Sequence, residues 1–490
     1  MQGELIDGVP VLWTEEPGPF EAVLIFGGGI LDEPLAVRGA MRLVAHLAES
    51  ALPRRNHPSR DWQDLESTYF TASGSPEQVT RYLDGICRAL TRLPLHRLAH
   101  EAEVLGTTDL SPVSEVAQNL LWGRYGHSGP GSANHEGPGL HGVSAEEVRS
   151  AAARVFHRDN AALVLTGPPP EGLRLPLPAG ERPAVRAAAP EVITGAVWFP
   201  SDVPDPGMSW SGDPGDPALL LSHYLFRERL VQALRHRNGL SHEIRDVHLP
   251  LGPGRAEFIF WPDSREGHEQ RVAELMWQEA LRLASEDPTE AELAREVTAY
   301  RERAATVERP VDELLEAAGC LLVDRDYQDL EARLESLAQV APEQLRTAFA
   351  TALKTAVVTV PNGLHLELPQ LDGRPVPQLT CNAYGDPAPG TVFRPKRTDR
   401  LRYRDLRGAQ LVLTDDGIWH RAALDDIHYV AFAEASALIE CGNGRLLLGG
   451  THCVIDVDEN LYPGAARASA AADAAVPPRL RFRAPGFREE

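Results

Sequence analysis

A chain of 490 residues has room for about two to four domains, and its 43% hydrophobic and 24% charged residues exclude a disordered polymer. The formal net charge of -22 repels nucleic-acid backbones and anionic membrane surfaces, and favours a cationic peptide as ligand. Five scattered cysteines without a CxxC spacing, no signal-like N-terminus and no apolar run of about 20 residues predict a cytoplasmic protein without a membrane span.

The first clear strand is "FEAVLIF" at 20–26, running into "GGGI". "LVAHLAESAL" at 43–52 is an amphipathic helix that carries His46 and Glu49 on one face, with Ser50 one turn beyond the histidine. A helix begins after Ser144, whose hydroxyl and the Glu147 carboxylate three residues on form a capping box, and an apolar strand follows it. Residues 168–190 are rich in Pro, Ala and Gly without periodicity and read as a linker. "GAVWFP" then opens a second unit as "FEAVLIFGGGI" opens the first. "VAPEQLRTAFATALKTAVVTVPNG" at 340–363 repeats the helix-then-strand ending of "VSAEEVRSAAARVFHRDNAALVLTGPP" at 143–169, with Pro342 in its first helical turn. A second break spans 368–400.

The tail reads as short strands with hairpin turns at "DDG" and "GNG", closed by a helix in "ENLYPGAARASAAADAAV". The expected fold is α+β: two tandem homologous halves at 1–168 and 192–364, linkers at 169–191 and 365–394, and a small β-rich domain at 395–490 with a pleckstrin-homology-like pattern. Its role would be protein docking, with the basic stretch 394–407 leaving phosphoinositide open.

Histidines at i and i+4 of a helix can hold one zinc ion while a carboxylate at i+3 takes a proton from the bound water. His46 and Glu49 keep the first ligand and the base; Ser50 replaces the second ligand. The segment "FGGGILDEPLAVRGAMRLVAHLAES" resembles the entry of the insulinase and pitrilysin family of zinc peptidases, which includes the mitochondrial processing peptidase. The resemblance runs over about residues 1–363 and implies two α+β halves facing each other like a clamshell. It places the family's third ligand, a glutamate, at Thr108 or Thr107 in "EAEVLGTT". In the second half the family's R-x-x-x-G-L-x-Y pair, which grips substrate backbone, falls on Arg235 and on His242 in place of tyrosine.

The resemblance therefore implies a non-catalytic homologue without its own zinc, pairing with an active HxxEH subunit that holds the metal while this chain contributes a chamber wall and peptide contacts through Arg235 and His242. Two alternatives stand beside it: a stand-alone peptide-binding scaffold, and a zinc peptidase with unconventional ligands. Each residue also has a plainer reading. His46 would be a satisfied helix histidine at the chamber wall, Glu49 a solvated face residue or a partner of Arg38 or Arg42, and Arg235 one surface charge among Arg227, Arg229 and Arg237. His127, His135 and His141 could replace the lost ligands, but they sit in a Gly- and Pro-rich stretch that predicts a mobile surface loop; Cys441, His452 and Cys453 could be read as a metal cluster, but they lie in apolar runs that predict buried core thiols.

Overall fold

The computed structural model describes residues 2–484 except 17, 54–55, 107–112, 134, 136, 306–308, 382–386 and 423–426. The first half contains β1 (Gln2–Ile6), β2 (Val9–Trp13), β3 (Phe20–Phe26), α1 (Ala40–Ser50), β4 (Ser59–Gln63), β5 (Thr68–Gly74), α2 (Pro76–Thr91), α3 (Leu98–Leu105), α4 (Glu115–Tyr125), α5 (Ala145–Val155) and β6 (Ala161–Leu165). The second contains β7 (Val197–Ser201), β8 (Gly207–Gly212), α6 (Pro217–Leu230) continuing into a π-helical turn at Val231–Arg237, β9 (Ile244–Pro250), β10 (Ala256–Pro262), α7 (Glu269–Ser285), α8 (Glu290–Ala304), α9 (Arg309–Leu322), α10 (Leu330–Ala338), α11 (Pro342–Leu353) and β11 (Val357–Pro361).

Five strands of each sheet share one topology, and β1 is an additional edge strand of the first. The strand orders are β1-β2-β6-β3-β5-β4 and β7-β11-β8-β10-β9. In each, the last strand of the half runs parallel to one neighbour and antiparallel to the other, Leu163 facing Val11 and Leu24 in the first sheet, Val357 facing Val197 and Ser209 in the second. The helix-then-strand repeat is thus α5–β6 and α11–β11. The start of the repeat is shifted from the sequence reading: "GAVWFP" holds β7, the counterpart of β2, while the counterpart of Phe20–Phe26 is Gly207–Gly212. Short strands of five to seven residues carry too little pattern to fix that register.

Each half covers one face of its sheet with its own helices. Met41, Leu43, Val44 and Leu47 of α1 pack with Ile86 and Leu90 of α2 and Val148 of α5 over Leu24 and Leu163. In the second half Trp210, Phe226, Phe260 and Phe349 form an aromatic core, with ring centroids about 5.0 to 5.8 Å apart. The opposite faces are covered reciprocally. Helix α4, from the first half's sequence, buries Val116, Ala117 and Leu120 on Val197, Phe199, Ile259 and Val357. Helix α9, from the second, buries Leu314, Ala318 and Leu322 on Ile25, Ala162 and Val164.

The segment expected to be a free linker at 169–191 has no regular structure, yet Leu173, Leu175 and Leu177 are buried in the first core. Likewise Leu366, Leu368 and Val376 of the second linker pack into the second core. Beyond it lie β12 (Thr391–Phe393), α12 (Arg397–Arg402), β13 (Gln410–Leu413), β14 (Gly417–Arg421), β15 (Ile427–Ala431), β16 (Ala435–Cys441), β17 (Gly444–Gly449), β18 (Val454–Asp458), α13 (Ala466–Ala475) and β19 (Arg481–Arg483), making two four-stranded sheets. This unit begins at β12, four residues before the expected boundary at 395, because Val392 pairs with Val412. It docks on the end of α4: the Thr451 carbonyl accepts from the His127 amide at 3.0 Å, and the His452 ring meets Trp122 edge-on. No helix among the described residues is long and apolar enough to cross a membrane.

Candidate functional site

Helix α1 is placed by the turn before it. Gly29 leaves β3 so close to the Leu65–Glu66 peptide that a Cβ there would lie 2.5 Å from its atoms, so only glycine fits. The buried Glu33 carboxylate then accepts from the amides of Gly39 at 3.0 Å and Met41 at 2.6 Å, satisfying donors at the start of α1 that have no intrahelical partner. The "DEP" turn is therefore the device that starts this helix.

On α1 the remnants of the zinc pattern are tied to neighbours. His46 Nε2 lies 3.1 Å from Glu101 Oε2 on α3, and Nδ1 lies 3.8 Å from Asp61 on β4. The other Glu101 oxygen accepts from Arg97 Nε at 2.9 Å and Nη2 at 2.6 Å. Glu49, expected beside Arg38 or Arg42, instead accepts from the Tyr82 hydroxyl on α2. Ser50 donates back to the Leu47 carbonyl at 3.0 Å, and Thr107 and Thr108 lie outside the described residues. Sequence reasoning missed Asp61, Tyr82 and Glu101, which come from three other elements and have no fixed spacing from His46.

These donors do not fit a catalytic zinc. Three protein ligands and an open position are required, and a hydroxyl turned to its own helix with a carboxylate capped by a phenol supplies neither. Among the described residues no group of three His, Cys, Asp or Glu donors closes around His46. What the site does is hold a charge: Asp61 above all, and Glu101, raise the His46 pKa above its ordinary 6.5 against burial and Arg42. The imidazolium is favoured in the fold, so its contribution to stability is complete below about pH 6.5 and lost as pH rises through the folded value. Replacing His46 with Gln should cost on the order of 1 kcal/mol at about pH 6 and less at about pH 9, measured by urea unfolding at both.

The histidine-rich stretch is not a mobile surface loop. Pro130, Gly131 and Ser132 are buried in a 3-10 turn, and His127 is 5% exposed. His127 Nδ1 lies 2.9 Å from His135 Nε2, while buried Arg38 donates to the carbonyls of Ser132 and His135. Arg38 Nη2 also donates to the Ser132 hydroxyl at 3.0 Å, so one buried guanidinium ties this stretch to the start of α1. His141 stands apart and exposed.

In the second half Arg235 and His242 line one groove of about 340 Å³ with Arg227, Val231, Glu243 and Ile244. The neighbouring cations are neutralised: Arg227 donates to Asp246 at 2.7 Å, Arg229 pairs with Glu292 and Arg237 with Glu279. Arg235 is exposed and has no ion pair among the described residues. The π-helical turn brings Arg235 and His242 together, with the Leu240 amide donating to the Leu234 carbonyl at 2.9 Å.

A second cluster lies in the third unit. Cys453 is buried in the core as expected, and so is Cys441, but they are apart. Cys453 instead joins Cys381 and His428, and the contact with Cys381 followed by that with His428 holds its thiol pKa below the usual range. His452 turns away and its Nε2 lies 3.0 Å from the Gly123 carbonyl.

No protein-family model and no curated protein sequence matches the chain. Solved structures do. The inactive domain of a peptidase M16 from Pseudomonas fluorescens aligns with TM-score 0.54 and 14% identity, over 74% of this chain and 99% of that one. The chain has the M16 peptidase fold. A chain of complex III from Candida albicans aligns equally well, TM-score 0.54 and 14% identity, over 74% of this chain and 95% of its own length. The periplasmic protease PqqL from Escherichia coli aligns with TM-score 0.59 and 12% identity over 91% of this chain, which spans 55% of that protein.

Proposed function

We propose that the chain is a non-catalytic M16-fold subunit that binds an extended peptide and works beside an active, zinc-bearing chain. The observation that carries this reading is the pair of fates at the two sites. His46 and Glu49 are engaged by Glu101, Asp61 and Tyr82, whereas Arg235 stands at a groove with His242 and makes no ion pair among the described residues, the Glu243 carboxylate of the same groove being paired with Arg245. A peptide carbonyl or carboxylate is the natural ligand of an exposed guanidinium, whose planar fork can donate two parallel hydrogen bonds. That the Pseudomonas fluorescens domain of the same fold is an inactive one supports the same direction. The catalytic zinc of the assembly belongs, on this reading, to the partner, and no cofactor is assigned to the His46–Glu49 site of this chain.

The test is a pull-down from the native host followed by peptide binding and cleavage with and without the captured chain. A partner carrying an intact HxxEH pattern, needed for cleavage, is the expected result. Arg235→Ala should weaken peptide binding about tenfold, the scale of a lost charge-assisted hydrogen bond. Unchanged affinity removes Arg235 from the role. Tight peptide binding by the isolated chain with no partner captured would instead make it a stand-alone binder, and cleavage by the isolated chain would overturn the reading.

A further inference from the structure

Cys381, His428 and Cys453 come from three segments. Cys381 follows a stretch whose backbone is fastened to the second sheet: Trp198 donates to the Pro377 carbonyl at 3.1 Å and Leu379 to the Trp198 carbonyl at 2.7 Å. His428 projects from β15, opposite His420 of β14. Cys453 ends the turn between β17 and β18, where the Gly449 amide bonds its carbonyl at 2.9 Å.

Both sulfurs address the same ring nitrogen. Cys381 Sγ lies 3.1 Å from His428 Nδ1 and Cys453 Sγ lies 4.0 Å from it, and all three donor atoms fall within 4.8 Å of one another. A tetrahedral zinc with Zn–S of about 2.3 Å and Zn–N of about 2.0–2.1 Å sets sulfur and nitrogen about 3.5 Å apart, a value that the two distances bracket. A thiol and its general base need only one such contact, and a disulfide needs no imidazole. The donor set of two thiolates and one neutral imidazole also balances a divalent charge. Cys453 is 6% exposed, while Cys381 and His428 are half-buried.

We propose that Cys381, His428 and Cys453 hold a zinc ion, which clasps the segment leaving the second sheet to the third unit. Binding releases the two thiol protons to solvent, among them the one Cys453 donates to the Cys381 carbonyl at 2.7 Å, and leaves the Nδ1 lone pair of a neutral His428 on the metal. The spacing Cys381…His428…Cys453 matches no compact ligand motif, which is why the sequence does not display it.

The reduced full-length chain should take up one zinc, measured by elemental analysis after gel filtration. Titration with cobalt(II) should give thiolate-to-metal charge-transfer absorption in the near ultraviolet. Cys453→Ser and the half-buried Cys381→Ser should each abolish that band and the retained zinc, while Cys441→Ser and His127→Ala keep both. Absence of the band in the reduced wild-type chain overturns the proposal without any variant having to fold. So does zinc retained undiminished in Cys381→Ser. Loss of two titratable thiols on air oxidation, with no metal taken up by the reduced chain, would make the pair a disulfide instead. None of these readouts depends on peptide binding.

Discussion

Replacing Arg124 with methionine is expected to cost the fold about 3–5 kcal/mol, because it strands a carboxylate in the interior. Arg124 and Glu257 are both 0% exposed, and the guanidinium Nε lies 2.8 Å from one Glu257 oxygen and 2.9 Å from the other. Arg124 Nη1 also reaches Glu191 at 3.4 Å, in the segment that joins the halves. The pair thus links α4 to β10, one partner from each half. Burial raises the Glu257 pKa, and Arg124 opposes that effect. Without the arginine, Glu257 must fold as the neutral acid, so its folded pKa lies above its unfolded one. A group shifted that way destabilises more as pH rises, so the variant's deficit against wild type should shrink from pH 8 towards about pH 5. The double variant Arg124→Met, Glu257→Met should recover much of the loss, since apolar replacement of both partners removes the desolvation penalty with the attraction. Urea unfolding of the three chains decides it: an Arg124→Met variant as stable as wild type at pH 8 would mean that the pair carries no charge.

The duplicated α5–β6 and α11–β11 units were legible because each combines a helical apolar run, a start signal and a fully apolar strand. Ala161–Leu165 is buried at every position, which is how a strand covered on both faces reads. The His46–Glu49 pair was legible because both residues lie on one helix. Its ties were not: Asp61, Tyr82 and Glu101 belong to β4, α2 and α3, and only tertiary packing brings them to α1. The same limit hid the pairing of Cys453 with His428 and Cys381. His452 is its neighbour in sequence, but it lies in the bend between β17 and β18 and packs on Trp122. Glycine and proline misled at 127–141, where they mark a turn whether it is exposed or buried; here Arg38 and the His127–His135 contact hold it inside.

Helix α9 lies in the sequence of the second half and covers the sheet of the first, so damage to it should be felt across the molecule. Leu314 is 1% exposed and sits in a cluster with Ile25, Ala162 and Val164. Leu314→Ala should cost about 2–5 kcal/mol, the transfer of the lost methyl and methylene groups plus the cavity left behind. The location of the damage is the sharper test. Amide exchange should accelerate in β3 and β6, whose outer face loses cover, before it does in β8 and β10. Leu120→Ala on α4 should do the reverse, since Leu120 packs with Phe199, Ile259 and Val357 of the second sheet. If each variant instead loosened the sheet nearest to it in sequence, the reciprocal cover of the two halves would not be what holds them together.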